Sequence, residues 1–275
     1  MMRALVAVLV LLLFAFPCLH AQEGRLQRVR EEVNRPDDKP SDTGKKEDCS
    51  SEDEDGSGEL LGWLFLAPFL LPHAALHDDF DQVRLFPWYP YAGGQNGSFP
   101  LDPQDEAGRK GLRGWSVQVS VEDGNDFSGL NRVGGRLFLD TSTRWGVQAR
   151  VDSFTERLSC GCLDDLLLGS SELTFRFAQG ESVRMHAGLG ANFMDDHGRS
   201  RFGFNFTYGA DVFPVRPVVL SLLLDGGTLG SAGLFHVRGT VGALWKNWEI
   251  FTGYDYRTIG STDLQGPLVG LRLWF

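Results

Sequence analysis

From Trp115 to Phe275 apolar and polar side chains alternate, and that period of two constrains the chain more than any other feature. A β-strand turns successive side chains to opposite faces, so the pattern fits strands with one apolar face and excludes helices over the same residues. Trp115, Val117, Val119 and Val121 alternate with Ser116, Gln118, Ser120 and Glu122. Trp145, Val147, Ala149 and Val151 alternate with Arg144, Gln148, Arg150 and Asp152, and Phe202, Phe204, Phe206 and Tyr208 with Arg201, Asn205 and Thr207. Residues 172–177 and 183–193 behave alike, and less regular repeats follow at 218–226, 233–245 and 248–257. With 132–140 and the final stretch this gives about ten strands, within a range of 8 to 12, near the length a tilted membrane strand needs.

The last strand is the most telling. Val269, Leu271, Leu273 and Phe275 share one face, and Gly270, Arg272 and Trp274 the other. A terminal aromatic preceded by apolar residues at alternate positions resembles the closing strand of bacterial outer-membrane β-barrel proteins. The resemblance implies an antiparallel, transmembrane, up-and-down all-β barrel, located in the cell outer membrane and in contact with its lipids. It also implies that the assembly machinery reads the C-terminal strand.

Alternation alone does not separate such a barrel from a secreted soluble β-sandwich, because both have one apolar and one polar face. Three features favour the barrel. Short links at 141–143, 179–181, 214–216 and 246–247 alternate with longer ones at 123–130, 155–166, 195–199, 227–231 and 259–264. Trp115, Trp145, Phe177, Phe213, Trp245, Trp248 and Phe275 all fall beside the short links, as an aromatic girdle would. Phe154, Phe193, Phe202, Phe235 and Tyr254 lie toward the other rim. Finally, the polar face carries Arg mixed with carboxylates and lacks Lys. Arg136, Arg144, Arg150, Asp152, Glu172, Arg176, Arg184, His186, Arg201, Asp211, Arg238, Glu249, Asp255, Arg257 and Arg272 are the expected luminal network, joined by Glu122, Asp140 and His236. In a narrow barrel such pairs fill the interior instead of leaving a wide pore.

The N-terminal part is organised differently. Residues 1–21 read as a secretory signal peptide, with cleavage after Ala21; Cys18 raises a lipid-anchored alternative, although Ala15-Phe16-Pro17 lacks the small residues such a site wants. Residues 22–58 carry runs such as Glu52-Asp53-Glu54-Asp55 and read as a disordered, acidic linker whose periplasmic partner is unidentified. Residues 59–113 open with an apolar run, Leu60 to Leu76, interrupted by Pro68 and Pro72 and flanked by Glu59, Asp78 and Asp79. A kinked segment docked on protein or lying along a membrane surface fits better than a lone span. An aromatic connector rich in Pro and Gly follows, a candidate plug for the barrel domain at 114–275. The net charge of −10 offers nothing to a nucleic-acid partner.

Chemistry is sparse. Cys160-Gly161-Cys162 beside Asp164-Asp165 has two thiols and no clear third soft ligand, so a plain loop is the simpler reading than a metal site. Cys49 is expected on the other side of the membrane from this pair. Asp195-Asp196-His197 has the residue types found at the rim of ten-stranded outer-membrane proteases, but no family motif aligns, and a polar turn accounts for it. No catalytic residue, metal or cofactor is expected. The function expected is a structural, anchoring or binding barrel with at most limited small-solute passage. The alternatives are an enzyme acting on lipid or peptide at the loop rim, and the secreted soluble domain.

Overall fold

The strands expected from the alternation form, and they close on themselves. In the computed structural model residues 24–35, 57–78, 85–86, 91, 112–196 and 198–275 are described, with backbone alone for 57–65. The strands are β1 (Trp115–Asn125), β2 (Leu130–Thr141), β3 (Trp145–Arg157), β4 (Leu163–Gln179) and β5 (Val183–Asp196). They continue with β6 (Arg199–Val215), β7 (Val218–Leu229), β8 (Ala232–Trp245), β9 (Trp248–Ile259) and β10 (Thr262–Trp274). Each pairs antiparallel with its sequence neighbour, and β1 pairs with β10, so the chain is a closed ten-strand up-and-down barrel without a free edge. Closure matters because an open edge would leave a row of unpaired backbone groups.

The strands also run further than the alternation indicated at the second rim. Between β5 and β6, β7 and β8, and β9 and β10 only two residues intervene. Gly198, Gly230 and Gly260 take φ of +87°, +57° and +58° there, a conformation glycine adopts without steric cost, and so turn the chain tightly. The expected contrast between turns and long loops is therefore confined to 126–129 and 158–162.

The wall is inside-out by the standard of a water-soluble protein. Outward side chains are apolar and exposed: Val121 at 61%, Ile250 at 63%, Phe202 at 68% and Trp245 at 73%. Inward ones are charged and buried, including Glu122, Asp152, Arg150, Arg238 and Arg257. Along β1 and β3 buried and exposed side chains alternate at nearly every residue, which is the period-two pattern made physical.

Among the described residues two helices precede the barrel. Helix α1 (Arg25–Asn34) lies within the stretch expected to be disordered. That expectation fails for these ten residues because Leu26, Val29 and Val33, spaced three and four apart, form one apolar stripe and are 0–2% exposed. Helix α2 (Ser57–Ala75) contains Pro68 and Pro72 and lies against the outside of the barrel. Phe69 meets Phe177, Phe206 and Tyr208 at centroid distances of 5.2, 6.4 and 5.9 Å. Among the described residues no helix is long and apolar enough to cross a membrane by itself. The signal-peptide stretch, 36–56 with Cys49, most of 79–111 and His197 lie outside the described residues.

Candidate functional site

Among the described residues polar chemistry concentrates in the barrel interior, which is stacked in three layers. At the rim formed by the β1–β2, β3–β4, β5–β6, β7–β8 and β9–β10 connections, the inward side chains are apolar. Leu130, Phe154, Leu166, Leu168, Met194, Leu229, Leu234, Ile259 and Leu264 make a cup, and Leu26, Val29 and Val33 of α1 fill it. Phe154, expected among the rim aromatics, faces inward and floors this cup at 2% exposure.

The polar face of α1 is tied to the barrel by carboxylates. Gly24 at its N-cap has no side chain to satisfy the first backbone donors, and Glu156 of β3 does so instead. Its carboxylate accepts from the backbone N–H of Arg25 at 3.1 Å and of Leu26 at 3.0 Å. Arg25 pairs with Asp126 and donates to Ser128 at 2.8 Å. Arg30 reaches Asp164 at 2.7 Å and Asp196 at 2.9 Å. Glu32 accepts from Ser261 at 2.6 Å, and Asn34 accepts from Arg201 at 2.6 Å. Gly230 leaves room for the end of the helix: a Cβ there would sit 2.4 Å from the Val33 carbonyl.

These pairings set a pH dependence. Burial alone would raise the Asp126 carboxyl, but hydrogen bonds from the Ser128 side chain and backbone, the Leu130 N–H and the Arg25 charge together hold it below its ordinary value. A depressed carboxyl stabilises the docked state above its unfolded pKa near ~4 and loses that contribution as pH falls through the lower folded value. Protection of α1 from hydrogen exchange is therefore expected to be full at pH 7 and to drop below about pH 4. Protection that stays constant down to pH 2 would show that the carboxylates do not hold the helix.

The middle layer is ionic, and its pairs reach across the lumen. Glu122 of β1 meets Arg132 at 2.7 Å and also pairs with Arg238 of β8. Arg257 of β9 binds Asp152 of β3 at 2.6 Å, Arg132 of β2 meets Asp255 of β9 at 3.0 Å, and Arg150 of β3 meets Asp225 of β7 at 2.8 Å. His236 is clamped between two carboxylates, Asp225 on Nδ1 at 2.6 Å and Asp255 on Nε2 at 2.8 Å. Below them Arg176 pairs with Asp140, Arg184 with Asp211, and Glu249 with Arg272 at 3.2 Å. Arg136 donates to Gln148, and Glu172 accepts from Asn205, each at 2.6 Å. His186 stacks on Phe138 with centroids 4.8 Å apart.

The expected luminal residues thus converge, with one correction. Arg201 is exposed at the rim, bonded to Asn34, because there β6 is paired with β5 alone and its pairing with β7 begins only at Asn205. Arg132 and Asp225 belong to the network and were not expected there, since each sits in a stretch whose alternation Gly or Leu residues blur.

The third layer closes the other mouth. Phe86 and Tyr91 of the connector pack with Phe213, Val219, Leu244 and Trp274. Tyr91 donates to the Val218 carbonyl at 2.5 Å, and Phe86 exchanges two 2.9 Å backbone bonds with Arg113. Asp78, just after α2, takes both Nη atoms of Arg144 at 2.6 and 2.9 Å, and the Gln179 N–H at 3.1 Å. Of the expected girdle, Trp115, Trp145, Trp245, Trp248 and Phe275 face outward and are exposed. Phe213 does not: it is fully buried in the lumen, on the same parity as Asp211, against Tyr91. Phe177 is outward but covered by Phe69 of α2.

The described residues of the two candidate loops are engaged elsewhere. Asp164 and Asp196 are neutralised by Arg30, and Asp195 accepts from Ser200 at 2.9 Å. Cys160 and Cys162 are exposed thiols in the β3–β4 loop. Among the described residues no group of three or more His, Cys, Asp or Glu is placed to hold a metal.

No family model matches the sequence, and no curated protein matches it. Among solved structures the chain is similar to one described as a KdgM porin, at 11% identity and a TM-score of 0.26, over 57% of this chain and 98% of that one.

Proposed function

We propose that the protein is an outer-membrane β-barrel whose lumen is stoppered at both mouths, with an anchoring, structural or binding role. The observation that carries this reading is the combination of an apolar outer wall with ion pairs that bridge the lumen between two plugs. An outer wall bearing Trp245, Phe202 and Ile250 at more than half exposure suits hydrocarbon, whereas a secreted sandwich would turn its charges outward. Limited solute passage would require α1 to leave and the ionic layer to part, so it is not the resting state. The loop-rim enzyme gains no support, because the carboxylates there are occupied in holding α1.

Planar-bilayer recording tests the reading. The intact protein is expected to insert without sustained conductance, and deletion of residues 24–34 to leave conductance small, because Arg150, Asp225, Arg238 and Glu122 still bridge the interior. Steady openings of the intact protein would overturn the stoppered barrel.

A further inference from the structure

Helix α1 and the residues that lead into β1 lie at opposite ends of the barrel. Arg25 and Arg30 bind Asp126, Asp164 and Asp196 at one rim. Asp78 binds Arg144 in the β2–β3 turn and the Gln179 N–H at the end of β4, both at the other rim. Between Asn34 and Asp78 the chain therefore travels the full height of the barrel. The lumen gives it no path, since pairs such as Arg257–Asp152 and Arg150–Asp225 span it at 2.6 and 2.8 Å. The described part of that stretch, α2, lies outside the wall.

Helix α2 occupies that outer path, and one contact shows how it is fitted there. Pro72 has no N–H, so the carbonyl of Pro68, four residues earlier, loses its helical donor. In water such a carbonyl would be hydrated, but in hydrocarbon it must find a partner in the protein. Tyr208, on the outward face of β6, donates its hydroxyl to the Pro68 carbonyl at 2.9 Å. On either side Phe69 packs edge-on against Phe177 and Tyr208, and Leu76 reaches Gly180 in the β4–β5 turn. Away from the wall, Leu66, Leu70 and Leu71 are 48–66% exposed and continue the apolar belt of the barrel. A helix of 19 residues rises about 28 Å, close to the thickness of a bilayer core. The residues between α1 and α2, fully extended, reach up to about 70 Å, enough to join the two.

We infer that the chain crosses the bilayer outside the barrel, with α2 as a wall-bound, lipid-facing segment that delivers α1 to the rim opposite the barrel termini. The barrel wall supplies what α2 lacks as a lone span: a donor for its orphaned carbonyl and an apolar face to pack against. The occupant of its remaining face is lipid hydrocarbon. The inference rests on the proposed membrane barrel, and its test separates the two.

In a variant with the native cysteines replaced by serine, single thiols are placed at Gln27→Cys on α1, at Glu181→Cys in the β4–β5 turn and at Leu70→Cys on α2, with native Cys160 restored alone as the marker of the α1 rim. Cells that express each variant are treated with a membrane-impermeant maleimide before and after permeabilisation, and again in detergent. The expected result puts Gln27→Cys and Cys160 on one side and Glu181→Cys on the other, with Leu70→Cys modified only in detergent. Gln27→Cys sharing a side with Glu181→Cys, while Cys160 stays opposite, would overturn the crossing and leave the barrel standing. Modification of Leu70→Cys in undisturbed membranes would likewise overturn it. Equal labelling of Gln27→Cys, Glu181→Cys and Cys160 in intact cells would sink the membrane barrel, and the crossing with it.

Discussion

Glu122→Ala is expected to destabilise the barrel by about 3–5 kcal/mol, the range found when one member of a buried ion pair is removed and its partner is left charged and unpaired. Glu122 is 3% exposed and serves two guanidinium groups, Arg132 from the adjacent strand and Arg238 from across the lumen. Arg132 keeps Asp255 at 3.0 Å, whereas Arg238 has no other salt-bridge partner among the described residues. The wall is close there too: a Cβ on Gly134 would meet Asp152 Oδ1 at 2.5 Å and the Glu122 carboxylate at 3.0 Å. Urea unfolding in detergent micelles, read by the mobility difference between heated and unheated samples, measures the loss. Arg201→Ala at the rim is the internal comparison, with an expected cost within about 0.5 kcal/mol. A Glu122→Ala protein as stable as that one would mean that the cross-lumen pairs contribute nothing net.

Val29→Asp is expected to release α1 while leaving the barrel folded. Full burial of Leu26, Val29 and Val33 stabilises docking by at most about 1.5–3 kcal/mol per side chain. A carboxylate at position 29 would be buried among the Leu, Met, Ile and Phe side chains of the cup, which costs more than the remaining two side chains and the rim ion pairs return. Trypsin should then cut after Arg28 or Arg30 in the folded protein, while the heat-dependent mobility shift persists. Val29→Ala, which removes two methyl groups, should remain docked and protected. Uncut Val29→Asp protein would show that α1 is held by its polar face alone.

The barrel was legible in the sequence because each strand repeats one instruction at period two, and an apolar outer wall with ions inside only inverts which face is buried. The plugs were not legible for a specific reason. Phe154 and Phe213 fall on the inward parity of their strands, so alternation already pointed them into the lumen; their aromatic character suggested an interface with lipid instead. What reversed that reading is the presence of apolar partners from outside the barrel, Leu26 and Val29 above, Phe86 and Tyr91 below, and no property of β3 or β6 encodes those. Helix α1 left a weak signal of its own. Leu26, Val29 and Val33 are only three apolar positions among Arg, Gln and Glu, too few to bury against one another, so the segment resembles a solvated linker until the cup is there to receive it. Arg132 and Asp225 were hidden by neighbouring Gly134-Gly135 and Leu222-Leu223-Leu224, which break the rhythm that marked the other luminal charges.

The seam between β1 and β10 is the shortest junction in the wall. It holds seven paired residues from Gln118 to Gly124, extended at its lower end by two backbone bonds between Val117 and Phe275, whereas β5 and β6 share fourteen. Pro267 in β10, opposite the end of β1, offers no N–H to lengthen it. The ions that span the lumen join the two sides of this seam: Glu122 on β1 to Arg238 on β8, Arg132 on β2 to Asp255 on β9, Asp152 on β3 to Arg257 on β9. They work as a clasp fastened from within. Such a clasp engages only once the first and last strands have met, so a barrel still open at this junction would display these charges unmatched, and the final snap shut is the step at which they are neutralised.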